Sequence, residues 1–235
     1  MPILEIITIG TELLLGEITD TNSTYIARTL RDHGIDIYRI TTIGDNPNRI
    51  ALTIKEALKR ADIIITTGGL GPTIDDPTRL AVAKATDREL VFSPELWEQV
   101  QDRFKLYDHK ATENNRRQAY IPEGAIPITN PVGTAPCYIV EIGNASVISL
   151  PGVPREMEKI LRQSVIPFLS SKYQLETQII IATVLHAASF GESQIDEMIS
   201  ELELLSNPTV GLLAHPGQVD IRITAKAHST DEALN

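Results

Sequence analysis

The stretch that decides the fold runs Thr66-Thr67-Gly68-Gly69-Leu70-Gly71-Pro72-Thr73-Ile74-Asp75-Asp76-Pro77-Thr78, with the apolar run Ile63, Ile64, Ile65 before it and the helix-like pattern Leu80, Ala81, Ala83, Lys84 after it. An apolar β-branched run that enters glycines and leaves as a helix predicts a buried strand, a tight turn and a helix start. Such a turn presents backbone N–H groups with no side chains in front of them, which suits an anion. Asp75 and Asp76 in the same turn repel a phosphate unless a cation lies between, so the loop reads as a metal-plus-phosphate site in which Gly68, Gly69, Gly71 and Thr73 face the anion. The plain alternative is that the glycines serve the turn alone, with Asp76 as the N-cap and Pro77 as the first helical residue. Neither the third glycine of the dinucleotide fingerprint nor the Gly-Lys-Ser/Thr ending of a P-loop is present.

Two strands precede this one. Residues 3 to 9 are nearly all apolar, as a strand covered on both faces would be, and they end at Gly10-Thr11-Glu12. A loop holding Asp20, Thr21 and Asn22 then leads into a helix with Ile26, Ala27 and Leu30 on one face, closed by Gly34. Residues 35 to 43 form the second strand. Asn46 caps and Pro47 opens the next helix, with Ile50, Ile54, Ala57 and Leu58 at helical spacing, so Asp45 is not needed as its cap. Alternating strands and helices imply a mostly parallel sheet in a three-layer α/β sandwich, and such sheets bind ligands beyond the carboxyl ends of their strands. Glu12, Asp45 and Asp75/Asp76 each follow one of the first three strands, so the topology gathers these acids on one edge beside the glycine loop. Loops are polar in any case, and chance also places acids there.

Residues 93 to 108 predict a helix opened by Ser93-Pro94-Glu95. Residues 112 to 119 are a polar helix start with capping-box spacing. They form either a solvated helix end or an approach by which Asn115 and Arg116 or Arg117 reach a phosphate. The rigid turn Asn130 to Pro136 supplies Gly133 and Thr134, and strands at 137 to 142 and 146 to 150 follow. Pro151-Gly152-Val153-Pro154-Arg155 is a second strand-to-helix glycine turn, leading into a helix that reaches about Leu169. Two glycine turns with Gly152 and Arg155 would suit the two phosphates of a diphosphate; an ordinary well-made turn would look the same. The character changes beyond Ser170-Ser171-Lys172, which divides a domain 1–171 from a small α+β domain 172–235. The latter predicts a strand at 177 to 185, an acidic helix at 190 to 205 opened by Ser189 and Glu192, and strands at 209 to 214 and 219 to 226 joined at His215-Pro216-Gly217-Gln218. With no closing helix expected, this arrangement suggests further residues once followed it.

The chain has 235 residues, 42% of them apolar, enough for a sizeable core and for two domains. The single cysteine, Cys137, excludes an internal disulfide and a thiolate zinc site, and predicts a small buried side chain in a reducing cytosol. No basic-then-apolar leader or membrane-length apolar run appears, so a soluble cytoplasmic protein with no membrane partner is expected. The formal net charge is −10, and residues 176 to 235 carry nine acids against Arg222 and Lys226. A tail this acidic repels nucleic-acid phosphates, so no nucleic-acid partner is expected. No Gly-x-Ser-x-Gly elbow occurs, and the five histidines lack metal-ligand spacing. What remains for catalysis is a carboxylate-bound metal.

Seven stretches together resemble one family: Gly10-Thr11-Glu12-Leu13-Leu14-Leu15-Gly16, Asp20-Thr21-Asn22, Gly44-Asp45-Asn46, Thr67 to Thr73 with Asp75-Asp76, Thr112 to Arg116, Asn130 to Pro136, and Leu150 to Pro154. The sequence is similar to the CinA-like (competence/damage-inducible) proteins, whose first domain has the molybdopterin-binding-like (MogA-like) fold shared with molybdopterin adenylyltransferases. The resemblance implies a metal-dependent hydrolase that cleaves ADP-ribose to AMP and ribose 5-phosphate. It implies a divalent ion (Mg2+, Mn2+ or Co2+), with potassium as a further cation, a KH-like tail domain and a homo-oligomer such as a dimer. Asp45 and Asp76 match acidic positions used around substrate and metal, joined as candidate ligand by Asp75; Glu12 enters as a catalytic candidate from the topology alone. The third, nicotinamide mononucleotide deamidase domain of many relatives has no counterpart here. A molybdopterin-binding or adenylyltransferase-like protein is the alternative that the shared fold implies.

Overall fold

The computed structural model describes residues 2–31, 33, 35–73, 75–106, 108–174 and 179–234. The chain forms two compact units, Met1–Thr29 with Ile35–Gln174 and Leu30–Gly34 with Leu175–Asn235. The first unit opens with β1 (Leu4–Ile9), a short α1 (Thr11–Leu14), α2 (Thr21–Arg31), β2 (Ile37–Ile43), α3 (Pro47–Ala57), β3 (Ile63–Thr67) and α4 (Thr78–Ala85). It continues with β4 (Leu90–Phe92), α5 (Pro94–Lys105), α6 (Glu113–Arg116), β5 (Tyr120–Pro122), β6 (Ile126–Ile128), β7 (Cys137–Ile142), β8 (Ala145–Leu150), α7 (Pro154–Ile160) and α8 (Ile166–Tyr173).

Six strands make the central sheet in the order β2-β1-β3-β8-β7-β6. The first four run parallel, and the β7–β8 hairpin reverses direction at Gly143 and Asn144. Every residue of β1 and β3 is buried, as expected for strands covered on both faces. Each isoleucine fully buried there contributes roughly 1.5–3 kcal/mol relative to an exposed one. β2 is the edge strand, and its exposure is correspondingly mixed. Glu5, buried within β1, is matched by the fork of Arg60, with Nε and Nη2 donating to its two oxygens at 2.5 and 2.9 Å. Cys137 is fully buried, and burial pushes its thiol pKa up, so it packs as a small apolar side chain.

The caps expected at Asn46 and Ser93 form: Asn46 Oδ1 accepts from the N–H groups of Asn48 and Arg49, and Ser93 Oγ accepts from that of Leu96. The helix after β8 runs past Leu169 to Tyr173 through a widened turn, Leu161–Val165. Pro167 offers no N–H to the preceding turn, and the widened turn accommodates that gap. Periodicity gave no sign of α1 or of the three-residue strands β4, β5 and β6, which exist only because a partner strand or loop completes them.

The second unit contains β9 (Ile179–Ala188), α9 (Glu192–Glu203), β10 (Thr209–His215), β11 (Gln218–Ala227) and α10 (Thr230–Leu234), with an antiparallel sheet in the order β10-β11-β9. The expected opening of α9 by Ser189 is corrected. Ser189 has φ 69°, and the N-cap is Gly191, whose N–H donates to Gln194 Oε1 at 2.9 Å. The short α10 also follows β11 where no closing helix was expected. Gly34, with residues 177 and 178, lies outside the described residues. Among the described residues no helix is long and apolar enough to cross a membrane.

Candidate functional site

The carboxyl ends of β1, β2, β3 and β8 converge on a cleft of about 530 Å³. Five carboxylates line it, Glu12, Asp45, Asp75, Asp76 and Glu156, and no lysine, arginine or histidine does so among the described residues. Gly69, Leu70, Gly71 and Gly152 line it too.

Asp45, Asp76 and Glu156 are each held by local hydrogen bonds. Asp45 Oδ2 accepts from the Thr11 N–H at 2.8 Å, while the Asp45 N–H donates to Thr11 Oγ1 at 3.2 Å. Asp45, relieved of capping α3 by Asn46, thus caps α1 across 34 residues of chain. Asp76 Oδ2 accepts from Thr73 N–H and Oγ1 at 2.8 and 2.7 Å, so it ties the loop rather than capping α4, whose N-cap position is Pro77. Glu12 folds back over Gly10, where an added Cβ would lie 2.5 Å from Glu12 Oε1. Glu156 Oε2 accepts from Asn130 Nδ2 at 2.6 Å. The second oxygens of Asp45 and Asp76 have no hydrogen-bond partner among the described residues. No group of three Asp, Glu, His or Cys side chains stands close enough to hold one ion among the described residues.

The glycine loop is held from behind by α4. Thr78 Oγ1 donates to the Gly68 carbonyl at 2.7 Å, and the Thr78 N–H donates to the Gly69 carbonyl at 3.2 Å. Arg79, only 5% exposed, donates Nη1 to the Leu70 carbonyl at 2.6 Å and Nη2 to the Gly71 carbonyl at 2.7 Å. Burial lowers the Arg79 pKa, with Tyr138 and then Asp76 opposing. Gly68 itself supplies fit rather than a donor. Its N–H donates to the Leu150 carbonyl at 3.1 Å, its φ is 104°, and an added Cβ would overlap the Ile9 carbonyl.

Other expected residues fall elsewhere. Asn22 lines a smaller adjoining pocket, and its amide donates to Thr67 Oγ1 and to the Gly152 carbonyl, both at 2.9 Å. Both N–H bonds of its side-chain amide are thus spent within the protein. Asn115 is buried and occupied with Thr112, whose N–H and Oγ1 donate to its Oδ1 at 2.9 and 2.8 Å. Arg116 lies 4.9 Å from the Phe92 ring centroid and pairs with Glu113, and it does not line the cleft. Arg155 is exposed on the first turn of α7 and likewise does not line the cleft. Thr134 lines the cleft, whereas the Gly133 N–H donates to Asn130 Oδ1 at 2.8 Å. Sequence reasoning missed Glu156, Gln118, Thr78 and Arg79. Position in α7 could have pointed to Glu156, which lies one turn from the Gly152 turn, but nothing marked Arg79 as buried.

Comparison with known proteins agrees with this architecture. The family described as "Probable molybdopterin binding domain" matches residues 5–171, and "Damage-inducible protein CinA KH domain" matches 182–235. A protein of Halothermothrix orenii that carries the name competence-damage inducible protein is 46% identical over 233 residues, 99% of this chain and 56% of its own length. A CinA-like protein of Kosmotoga olearia is 44% identical over 97% of this chain and 55% of its own. The chain thus spans little more than half the length of these relatives. Among solved structures, the protein CinA of unknown function from Thermoplasma acidophilum superposes with a TM-score of 0.66 at 34% identity, covering 70% of this chain and 98% of that one. The molybdopterin biosynthesis enzyme MoaB from Thermus thermophilus, at 21% identity and a TM-score of 0.51 over 74% of this chain and 96% of its own, shows the same fold. With a molybdopterin-binding-type α/β domain and a KH-like domain both matched in order, the chain belongs to the CinA-like, competence-damage inducible family.

Proposed function

We propose that the first unit is a divalent-metal-dependent hydrolase acting on the diphosphate of ADP-ribose, yielding AMP and ribose 5-phosphate. The observation that carries this reading is the charge of the cleft: among the described residues five carboxylates and no basic side chain line it, beside glycine-loop amides that have no hydrogen-bond partner there. Acids alone would repel a phosphate and bare amides would attract one, and a cation bound with a diphosphate satisfies both.

The donor set fits such an ion. Mg2+ and its relatives take hard oxygen ligands, often one or two carboxylates completed by substrate phosphates and water. Asp45 and Asp76 each offer one uncommitted oxygen, and either carboxylate, completed by substrate phosphate and water, would hold Mg2+, Mn2+ or Co2+; Asp75 is a further candidate for the ion, and potassium a further candidate cation. When bound, the ion supplies neutralisation of phosphoryl charge. In the hydrolysis one bridging P–O bond breaks, the oxygen of water bonds to phosphorus, and the departing phosphate leaves as the second product. Glu12, folded back over Gly10, serves as acceptor for the proton that water gives up.

The test is AMP release from ADP-ribose with each metal and with EDTA, in the parent chain and in Asp76→Asn. No AMP under any metal, or undiminished turnover in Asp76→Asn, sinks the reading. The second reading, a molybdopterin-handling protein, is favoured by the fold shared with MoaB. Pterin binding without ADP-ribose hydrolysis would select it. The acidity of residues 176 to 235 speaks against a nucleic-acid partner, which a low-salt gel shift checks. A homodimer is proposed from the resemblance, and sedimentation checks it.

A further inference from the structure

We infer that Thr78 and Arg79 behind one glycine turn, and Asn22 with Thr67 behind the other, are positioning residues that aim five main-chain amides into the cleft as a seat for the two phosphoryl groups of a diphosphate. For its ligand class the inference rests on the functional reading above; the geometry stands apart from it.

In a trans peptide the C=O of one residue and the N–H of the next point in opposite directions. Among the described residues the only cis peptide is Asn207-Pro208, so every peptide of both turns is trans. The carbonyls of Gly68, Gly69 and Leu70 are drawn toward α4 by Thr78 Oγ1, Thr78 N–H and Arg79 Nη1 at 2.7, 3.2 and 2.6 Å. The N–H groups of Gly69, Leu70 and Gly71 must then face away from α4. Across the cleft, Thr67 Oγ1 donates to the Pro151 carbonyl at 3.0 Å and Asn22 Nδ2 to the Gly152 carbonyl at 2.9 Å, which turns the N–H groups of Gly152 and Val153 away from those two side chains. All five residues line the cleft, and none of the five N–H groups has a hydrogen-bond partner among the described residues.

The amide of Asn22 can be oriented in one way only. The Gly152 carbonyl accepts, and Thr67 Oγ1 has already given its hydrogen to Pro151, so both need the NH2 group. On the other side Arg79 grips two successive carbonyls with a rigid fork and sets a positive charge directly behind three amides, offsetting the carboxylates in front. A lysine, as a point charge, cannot hold both carbonyls in that geometry. Three amides and two amides, from turns whose glycines touch, make two adjoining oxyanion seats. The seats adjoin because a Cβ on Gly152 would lie 3.4 Å from the Gly68 Cα.

Calorimetry with inorganic pyrophosphate and, separately, inorganic phosphate, both with Mn2+ present, tests this on the full chain. Mn2+ alone, followed by electron paramagnetic resonance, is the control that a merely structural role would also disturb. Pyrophosphate should bind at least about tenfold more tightly than phosphate. Arg79→Lys should weaken pyrophosphate by roughly tenfold to hundredfold, the loss of well-placed charged hydrogen bonds, while leaving Mn2+ binding within about twofold. Asn22→Ala should erase most of the preference for pyrophosphate over phosphate. If Arg79→Lys does not melt cooperatively, Thr78→Val, which removes one hydroxyl and keeps the shape, carries the test with a loss of about fivefold expected. A parent chain that shows no preference for pyrophosphate overturns the inference, as does any folded positioning variant that binds it unchanged. Absence of ADP-ribose hydrolysis with pyrophosphate binding lost in Arg79→Lys would remove the functional reading and keep the seat; the opposite pattern would do the reverse.

Discussion

The turn after β3 and the turn after β8 both carry a strand into a helix through glycine, and they line the same cleft, yet they are built differently. Gly68 holds φ 104° with no room for a Cβ against the Ile9 carbonyl, and the loop after it is gripped by a buried arginine. Gly152 needs no left-handed backbone, a Cβ added to it would lie 3.4 Å from the Gly68 Cα, and its carbonyl is held by the neutral amide of Asn22. The first turn is shaped by steric necessity and charge, the second by neutral hydrogen bonds. Similar sequence motifs can therefore have different tolerances, and substitutions should separate them.

The largest contrast is expected between alanines at the two glycines. Gly68→Ala combines left-handed strain with a backbone overlap and should cost about 3–5 kcal/mol in urea unfolding, whereas Gly152→Ala should stay within about 1 kcal/mol. Equal losses would mean the turns are equivalent. Next come the acids: Asp45→Asn and Asp76→Asn should each lower ADP-ribose turnover by at least about 10–100-fold, with raised metal requirement visible in a Mn2+ titration. A smaller effect belongs to Asn22→Ala, which leaves the Gly152 carbonyl without its donor and should destabilise the chain by about 1–3 kcal/mol. Smallest of all is Arg155→Ala. Its side chain is exposed and outside the cleft, so unfolding should shift by no more than about 0.5 kcal/mol and turnover by less than about twofold. A large loss of turnover in Arg155→Ala would restore a charged grip to the second turn and erase the contrast.

Much of this architecture was legible before any coordinates. The largely apolar, β-branched runs of β1 and β3 announced strands buried on both faces, and Asn46-Pro47 and Ser93-Pro94 announced helix starts, because these signals are local. Topology also suffices to gather acids that follow consecutive parallel strands. Side-chain direction was not legible. The run holding Asn115 and Arg116 reads equally as a solvated helix end or as an approach to a phosphate, and in the fold these two side chains engage Thr112, Phe92 and Glu113. Nothing in the sequence singled out Arg79, since arginines are seldom buried, and the carbonyls of the preceding glycine loop are what make its burial tolerable. The strands β4, β5 and β6 are too short to show a period.

By itself, then, the amino-acid sequence determined the order of strands and helices, the glycine turns and the edge on which the acids lie, since periodicity, capping and chain connectivity are encoded over a few residues at a time. The tertiary structure alone decided which carbonyls are gripped and which amides are left bare. Those outcomes depend on hydrogen bonds between segments as far apart as Asn22 and Gly152, 130 positions along the chain, and no local pattern records such a meeting.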